Sequence, residues 1–433
     1  MRANNKVSII TMGCPKNLVD SENLGNLLQR EGFLNTENLD EANIVLINTC
    51  GFIEDAKKES IEEILRLKDI KRNGKSLLVF GCLAKRYREE LMREIPEIDA
   101  IWGVGEEEGI VEYCKKTVKT GLLKKNEMPL IHPPSSFTSY AYIKIAEGCN
   151  RGCTFCVIPS IRGRYRSYAP EDVLRKAEEY VLSGVKELIL VAQDISSYGW
   201  EFNRYDLSSL LKDITSISGN FWVRLLYLYP TSINSKLIET IAENEKICKY
   251  LDIPLQHSED KILKAMGRKG DKKFYSELIK RLREEIPGIT LRTTMIVGFP
   301  GETEEDFEGL KRFVEEMEFD RLGVFIYSKE EGTKASRLRG QIPKKIKERR
   351  RSDIMSLQSR ISLKKNLETV GRLYTALVDE INDDFSIARL YSQAPEIDGV
   401  VIIENCEGLG VGNFVNVRIK EAFDYDLRGE VVR

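Results

Sequence analysis

YIKIAEGCNRGCTFC, residues 142–156, joins a short apolar strand pattern to three cysteines, Cys149, Cys153 and Cys156, spaced C-x3-C-x2-C. Its first half reads as a strand buried in a parallel sheet, and its second half as a ligand loop at that strand's end. Thiolates this close together suit a metal cluster, because soft sulfur selects iron–sulfur clusters or zinc. A structural zinc site wants four protein ligands, and the two histidines, His132 and His257, do not fall at finger spacing. Three cysteines around a 4Fe-4S cluster would instead leave one iron open to a small molecule.

Downstream of this stretch come five more strand candidates: ELILVAQ (187–193), WVRLLYL (222–228), KYLDIPL (249–255), TLRTTMIVG (290–298) and LGVFIYS (322–328). Helical patterns such as PEDVLRKAEEYVLSG (170–184) and TEEDFEGLKRFVEEME (303–318) fall between them. Six repeats predict a partial (βα)6 barrel of the TIM type, with its site at the C-terminal ends of the strands. The cysteine motif begins on that edge.

Upstream, VSIITMGC (7–14), NIVLINTC (43–50) and LLVFGC (77–82) alternate with the helical patterns SENLGNLLQREG and EDAKKESIEEILRLKDIKRNG. Such alternation predicts an α/β domain with a doubly wound parallel sheet. Cys14, Cys50 and Cys82 each end one of the three runs. A parallel sheet gathers its strands' C-terminal ends along one edge, so these distant cysteines should converge. They either hold a second cluster or fill strand ends as small hydrophobes. Cys114, Cys248 and Cys406 have no partners at ligand spacing and read as structural.

Residues 343–368 form a basic helical connector, either a solvated face or an RNA contact. The last 65 residues carry RLYTALVDEI, SIARLYSQ, GVVIIEN and FVNVRIKEAF between Gly, Asp and Asn turns, which predicts a small antiparallel β-barrel. The expected domains are 1–130, 131–366 and 367–433. Length supports two to three cores. No apolar run reaches the ~20 residues of a membrane span, and the N-terminus lacks the pattern of a secretory signal. Nine cysteines without export point to a reducing cytoplasm and metal ligation rather than disulfides.

The C-x3-C-x2-C spacing, with aromatic Phe155 before its last cysteine, resembles the radical S-adenosylmethionine (SAM) superfamily, in which the open iron takes the amino and carboxylate groups of SAM. TMGCPKNLVDSE, INTCGFIEDAKKES and VFGCLAKRY, followed by EGCNRGCTFC, resemble the methylthiotransferase family of these enzymes along essentially the whole chain. The resemblance implies two 4Fe-4S clusters, one on Cys149, Cys153 and Cys156 and an auxiliary one on Cys14, Cys50 and Cys82. It also implies a C-terminal TRAM barrel. The implied reaction uses one SAM to methylate a sulfur and a second to make a 5′-deoxyadenosyl radical, which abstracts hydrogen from the substrate carbon. A one-electron reductant and a sulfur donor are required.

Expected SAM contacts lie at barrel strand ends: Gln193 and Asp194 for the amino group or ribose, Arg224 for the carboxylate, and Gln256, Gly298 and Gly301 near adenine or ribose. His257 reads as a packed or rim histidine. The family modifies either a transfer-RNA adenosine or the β-carbon of an aspartate in a basic small-subunit ribosomal protein. Residues 369–433 carry twelve Asp/Glu against six Lys/Arg, while the whole chain is at −2. An acidic barrel should repel RNA and attract a basic protein. CPKNLVDSE also resembles the ribosomal-protein branch, so that branch is the expectation and the transfer-RNA branch its rival. A non-catalytic iron–sulfur carrier and a zinc-stabilised RNA-binding protein are the rivals outside the enzyme class.

Overall fold

The computed structural model describes residues 5–118, 138–404 and 407–432. The boundary expected near 130, His132 and Cys406 lie outside the described residues. The first domain holds β1 (Lys6–Thr11), α1 (Pro15–Arg30), β2 (Leu34–Asn35), β3 (Ile44–Thr49), α2 (Glu54–Leu67), β4 (Ser76–Gly81), α3 (Cys82–Arg86), α4 (Arg88–Glu94), β5 (Ala100–Trp102) and α5 (Glu107–Thr117). Its sheet is all parallel in the order β2-β1-β3-β4-β5. Val45, Ile47, Leu77 and Val79 pack into one helix layer, and Ile44, Leu46, Leu78 and Phe80 into the other. Burial on both faces explains why these strands read as unbroken apolar runs. The order reverses between β1 and β3, the crevice where such sheets bind ligands.

The central domain comprises β6 (Tyr140–Lys144), a two-residue pair β7 (Ala146–Glu147) and β8 (Arg166–Ser167), β9 (Glu187–Val191), β10 (Trp222–Leu225), β11 (Ile247–Asp252), β12 (Thr290–Val297) and β13 (Arg321–Ile326). Strands β6, β9, β10, β11, β12 and β13 pair in that order, all parallel, as an open arc of six. The six expected strands are all present, two to three residues shorter at several C-terminal ends, where the chain turns out to form the site. Helices α6 (Ile158–Arg162), α7 (Pro170–Leu182), α8 (Leu207–Ser216), α9 (Ser235–Glu243), α10 (Asp260–Ala265), α11 (Lys272–Glu285) and α12 (Glu304–Met317) connect these strands.

The basic connector is α13 (Lys344–Leu367), packed against β13 and α12. Much of its charge is spent inside the molecule. Arg350 is buried against Glu302 and Glu304, Arg349 also meets Glu304, and Lys364 and Lys365 meet Glu318 and Asp320.

The C-terminal barrel closes in the order β14-β15-β16-β18-β17, from β14 (Leu373–Ile381), β15 (Phe385–Leu390), β16 (Val401–Glu404), β17 (Phe414–Ala422) and β18 (Leu427–Val431). It is not wholly antiparallel: β16 and β18 pair parallel, because β17 lies between them in sequence but on the far side of β18. Ala376, Val378, Leu390, Val401, Ile403, Val417 and Ile419 fill its interior. Among the described residues no helix is long and apolar enough to cross a membrane.

Candidate functional site

The three N-terminal cysteines do converge. Cys14 caps the N-terminus of α1, immediately after Gly13. Gly13 has φ +95°, and a Cβ there would lie 2.6 Å from the Cβ and 3.0 Å from the Sγ of Cys50, so only glycine lets the β1 and β3 ends approach this closely. Ser60 pins the backbone of Cys50, donating to its carbonyl at 3.1 Å and accepting its N–H at 2.9 Å. Cys82 opens α3, and its thiol faces Asn17 Oδ1 at 3.8 Å. Burial pushes the Cys82 thiol up to about 12, with Cys14 and Cys50 adding to the rise and Arg162 opposing it.

The second set lies across the domain interface. The Cys149 sulfur accepts the Arg151 N–H at 3.5 Å, and the Cys153 sulfur receives Arg268 Nη1 at 3.9 Å. Burial pushes the Cys156 thiol up to about 12, with Cys153 and Cys149 adding and Arg268 opposing. Cys82 packs on Val157 and Ile161, in the segment that follows Cys156. Cys82 of the first set therefore sits against the segment that carries the second set.

A buried polar circuit locks that interface. Arg162 on α6 donates to Asn17 Oδ1 at 2.7 Å, to Asp20 at 3.0 Å and to both Glu147 oxygens at 3.1 Å. Lys144 adds ion pairs to Asp20 and Glu147. Lys57 and Arg86 of the first domain both reach buried Glu330, at 2.9 and 2.8 Å.

Among the described residues no group of three Cys, His, Asp or Glu closes tightly enough for a single metal ion. Two sets of stand-off thiols suit a cluster, which is larger than an ion and is ligated from its corners, better than mononuclear zinc. Soft sulfur donors with cations alongside fit iron–sulfur groups. Two buried amide oxygens, Gln193 Oε1 and Gln256 Oε1, have no hydrogen-bond partner among the described residues. Both follow barrel strands on the cysteine edge, and they fit a ligand that brings its own donors, as SAM would.

The other expected contacts divide. Asp194 caps the turn Ile195–Ser197 and accepts Arg151 Nε at 2.5 Å, so it orients Arg151. Gly298 gives its N–H to buried Glu302 at 2.5 Å, and Gly301 gives its own to the Gly340 carbonyl at 3.0 Å. Arg224 requires correction. It is fully buried, pairs with Glu187 and donates to the Tyr391 carbonyl at 2.7 Å, so it serves the seam with the C-terminal barrel rather than a cofactor carboxylate. His257 is packed: its Nδ1 accepts the Glu259 N–H at 3.0 Å, and burial holds its ring down at about 3. Cys114 and Cys248 lie in apolar cores.

Sequence reasoning missed Arg151, Arg268 and Tyr229. The two guanidinium groups stack on the Tyr229 ring at 4.0 and 4.3 Å. Arg151 stood inside the cysteine motif and was open to notice. Arg268, in MGRKG, carried no signal of its own.

The acidic-barrel argument also needs trimming. Asp379 binds Arg389, Glu396 receives the Tyr140 hydroxyl at 2.7 Å, and Asp398 binds Arg292 at 2.9 Å. Asp379 and Asp398 are thereby partly buried, whereas Glu396 stays exposed. Glu380, Asp383 and Asp384 form an exposed acidic cluster at the β14–β15 hairpin.

Comparison with known proteins matches three family models in series. They are described as uncharacterized protein family UPF0004 over residues 6–103, the radical SAM superfamily over 143–314 and the TRAM domain over 370–432. A ribosomal protein uS12 methylthiotransferase RimO from Thermodesulfovibrio yellowstonii is 55% identical over 98% of this chain and 99% of its own. Its counterpart from Acetivibrio thermocellus is 47% identical over 99% and 98%. Among solved structures, the radical SAM methyltransferase TsrM from Kitasatospora setae aligns over 74% of this chain and 72% of its own, with a TM-score of 0.55 and 16% identity, a likeness of fold. With near-complete coverage at 55% identity and the three matched models in the same order, the chain belongs to the RimO family of radical SAM methylthiotransferases.

Proposed function

We propose that this chain places a methylthio group on the β-carbon of an aspartate in ribosomal protein uS12, the protein named for its relatives. The observation that carries this reading is the packing of Cys82, from one three-cysteine set, on Val157, the residue after Cys156 of the other. Cys149, Cys153 and Cys156 would hold one 4Fe-4S cluster, and Cys14, Cys50 and Cys82 the auxiliary one. When bound, these groups supply the electron that splits SAM and the site for the sulfur that is methylated and transferred. Two centres on one interface keep donor and acceptor close, which lowers the barrier to joining them.

The chain's own residues bind and orient. The Arg151 backbone N–H donates to the Cys149 sulfur and the Arg268 guanidinium to the Cys153 sulfur, offsetting the cost of burying anionic sulfur. Asp194 holds Arg151 in place. Gln193 and Gln256 offer free amide oxygens to the SAM amino group or ribose. Gly298 and Gly301 shape the loop after β12, where backbone approaches adenine or ribose. Val157 and Ile161 keep water from the interface.

The working parts on this reading are 1–130 for the auxiliary cluster, 131–366 for the radical chemistry and 367–433 for recognition. The partner is a basic ribosomal protein meeting the exposed Glu380, Asp383 and Asp384, in the cytoplasm where ribosomes assemble. A one-electron reductant and a sulfur donor complete the system. RNA contact through the exposed Lys345 and Arg351 of α13 is compatible but not required.

The test is anaerobic turnover of reconstituted enzyme with SAM, sulfide and reductant, offered uS12 and transfer RNA separately. Gain of one CH2S unit on a uS12 aspartate, lost in Cys14→Ala and in Cys149→Ala, is the expected mass-spectrometric result. Modification of transfer RNA alone would overturn the substrate.

A further inference from the structure

Lys16 stands two residues past Cys14, in the first turn of α1, with its ammonium 3.7 Å from the centre of the Tyr227 ring. Among the described residues that ammonium donates no hydrogen bond and closes no ion pair. The carboxylate whose charge acts on it, Asp252, already accepts the Tyr227 N–H at 3.2 Å and faces Arg292 at 3.7 Å. Its neighbours at the same interface are treated differently: Lys144 is neutralised by Asp20 and Glu147, and Lys57 by Glu330.

Tyr227 adds a second, independent sign. Its φ is +68°, a conformation a bulky side chain seldom adopts. The Asp252 carboxylate and the Ile195 N–H, which binds its carbonyl at 3.2 Å, hold it there. Backbone outliers of this kind gather at ligand clamps. The ring props Lys16 from below, and a cation resting on an aromatic face still attracts an anion on its open side. Lys16 is beside Cys14, on the half of the interface where the sulfur would be delivered. The acceptor carbon must arrive there, and in an aspartate that carbon is bonded directly to a carboxylate. Arg151, by contrast, is already consumed by Asp194, Ser197 and Ser232.

We infer that Lys16 receives the side-chain carboxylate of the target aspartate and makes the enzyme choose the acid over its amide, an assignment that rests on the aspartate reading above. Gripping the carboxylate fixes the β-carbon one bond away, between the two cysteine sets.

The test uses full-length enzyme reconstituted with iron and sulfide and saturated with SAM. Its probes are fluorescent uS12 fragments that each contain one aspartate, paired with the same fragments carrying asparagine. For the target fragment, anisotropy should show wild type binding the aspartate form about tenfold or more tightly, the usual scale of a charged hydrogen bond. Lys16→Met should bind both forms alike, and Lys16→Arg should keep part of the preference. A wild type that binds every pair equally, or a Lys16→Met protein that keeps the preference, overturns the inference. Lys16→Met that loses SAM binding by equilibrium dialysis yet still prefers the acid would assign Lys16 to the cofactor, which also overturns it. If the preference exists and depends on Lys16 while no methylthio group appears on uS12, the inference stands and the proposed chemistry fails. Should Lys16→Met fail to fold, the wild-type comparison and Lys16→Arg still decide.

Discussion

Replacing Arg162 with methionine removes the fork that ties the first domain to the second. Its side chain is 2% exposed, and its donors serve Asn17, Asp20 and Glu147. After the change, two buried carboxylates share the single ammonium of Lys144. Breaking a buried ion pair from one side costs about 3–5 kcal/mol. Lys144 still covers both acids in part, so a loss of about 3 kcal/mol is expected. Urea unfolding under anaerobic conditions would read it. Arg162→Lys should fall between, since lysine restores charge without the two-pronged geometry. The same variant removes the cation opposing the rise of the Cys82 thiol, so iron content should fall as well. A loss of only about 0–1 kcal/mol, the scale of a surface pair, would refute the view that this circuit holds the domains together.

Other outcomes follow from the geometry. Cys149→Ala and Cys14→Ala should each bind about four of the about eight iron atoms expected for two clusters, with iron assay and electron paramagnetic resonance showing which centre survives. Gly13→Ala puts a methyl group 2.6 Å from Cys50 Cβ at φ +95°, so it should lose the auxiliary iron while leaving the other centre intact. Burial pushes the Asp252 carboxyl up to about 6, outweighing Arg292, whose hydrogen bond goes to Asp398. The folded value lies above the ordinary carboxylate value, so the native state holds the extra proton and stability falls as pH rises from about 4 to about 6. Asp252→Asn should flatten that slope by about 3 kcal/mol in urea unfolding across the window. His257 runs in the opposite direction: with its ring held at about 3, stability is lost as pH falls below about 6.5. The His257→Gln protein should lose less on acidification.

Much of this architecture was legible because the strands are buried on both faces and therefore appear as plain apolar runs. Cys14, Cys50 and Cys82 could be paired across 68 residues of chain because parallel strands share an edge whatever their separation. Gln193 and Gln256 were findable as polar residues just past such strands. Arg224 was not, since an arginine within a strand gives no hint of whether the site or a neighbouring domain claims it. Its partners Glu187 and Tyr391 lie 37 and 167 residues away. Net charge overstated the free acidity of the C-terminal barrel in one respect: Asp398 is answered by Arg292 of the central domain, 106 residues away. Lys16 was hidden because its meaning lies in the lack of an acid beside it.

The seam at Arg389 has a consequence for inheritance. Arg389 grips Asp379 of its own barrel and Glu187 of the central domain, while Arg224 waits on the Tyr391 carbonyl. A foreign terminal barrel spliced onto this core would leave the sealed Glu187–Arg224 pair without the Arg389 guanidinium and the Tyr391 carbonyl that complete it. The terminal barrel is thus not an interchangeable cassette. A lineage drifting toward a different target would be free to rewrite the exposed hairpin residue by residue, whereas the seam could change only by concerted replacement on both sides.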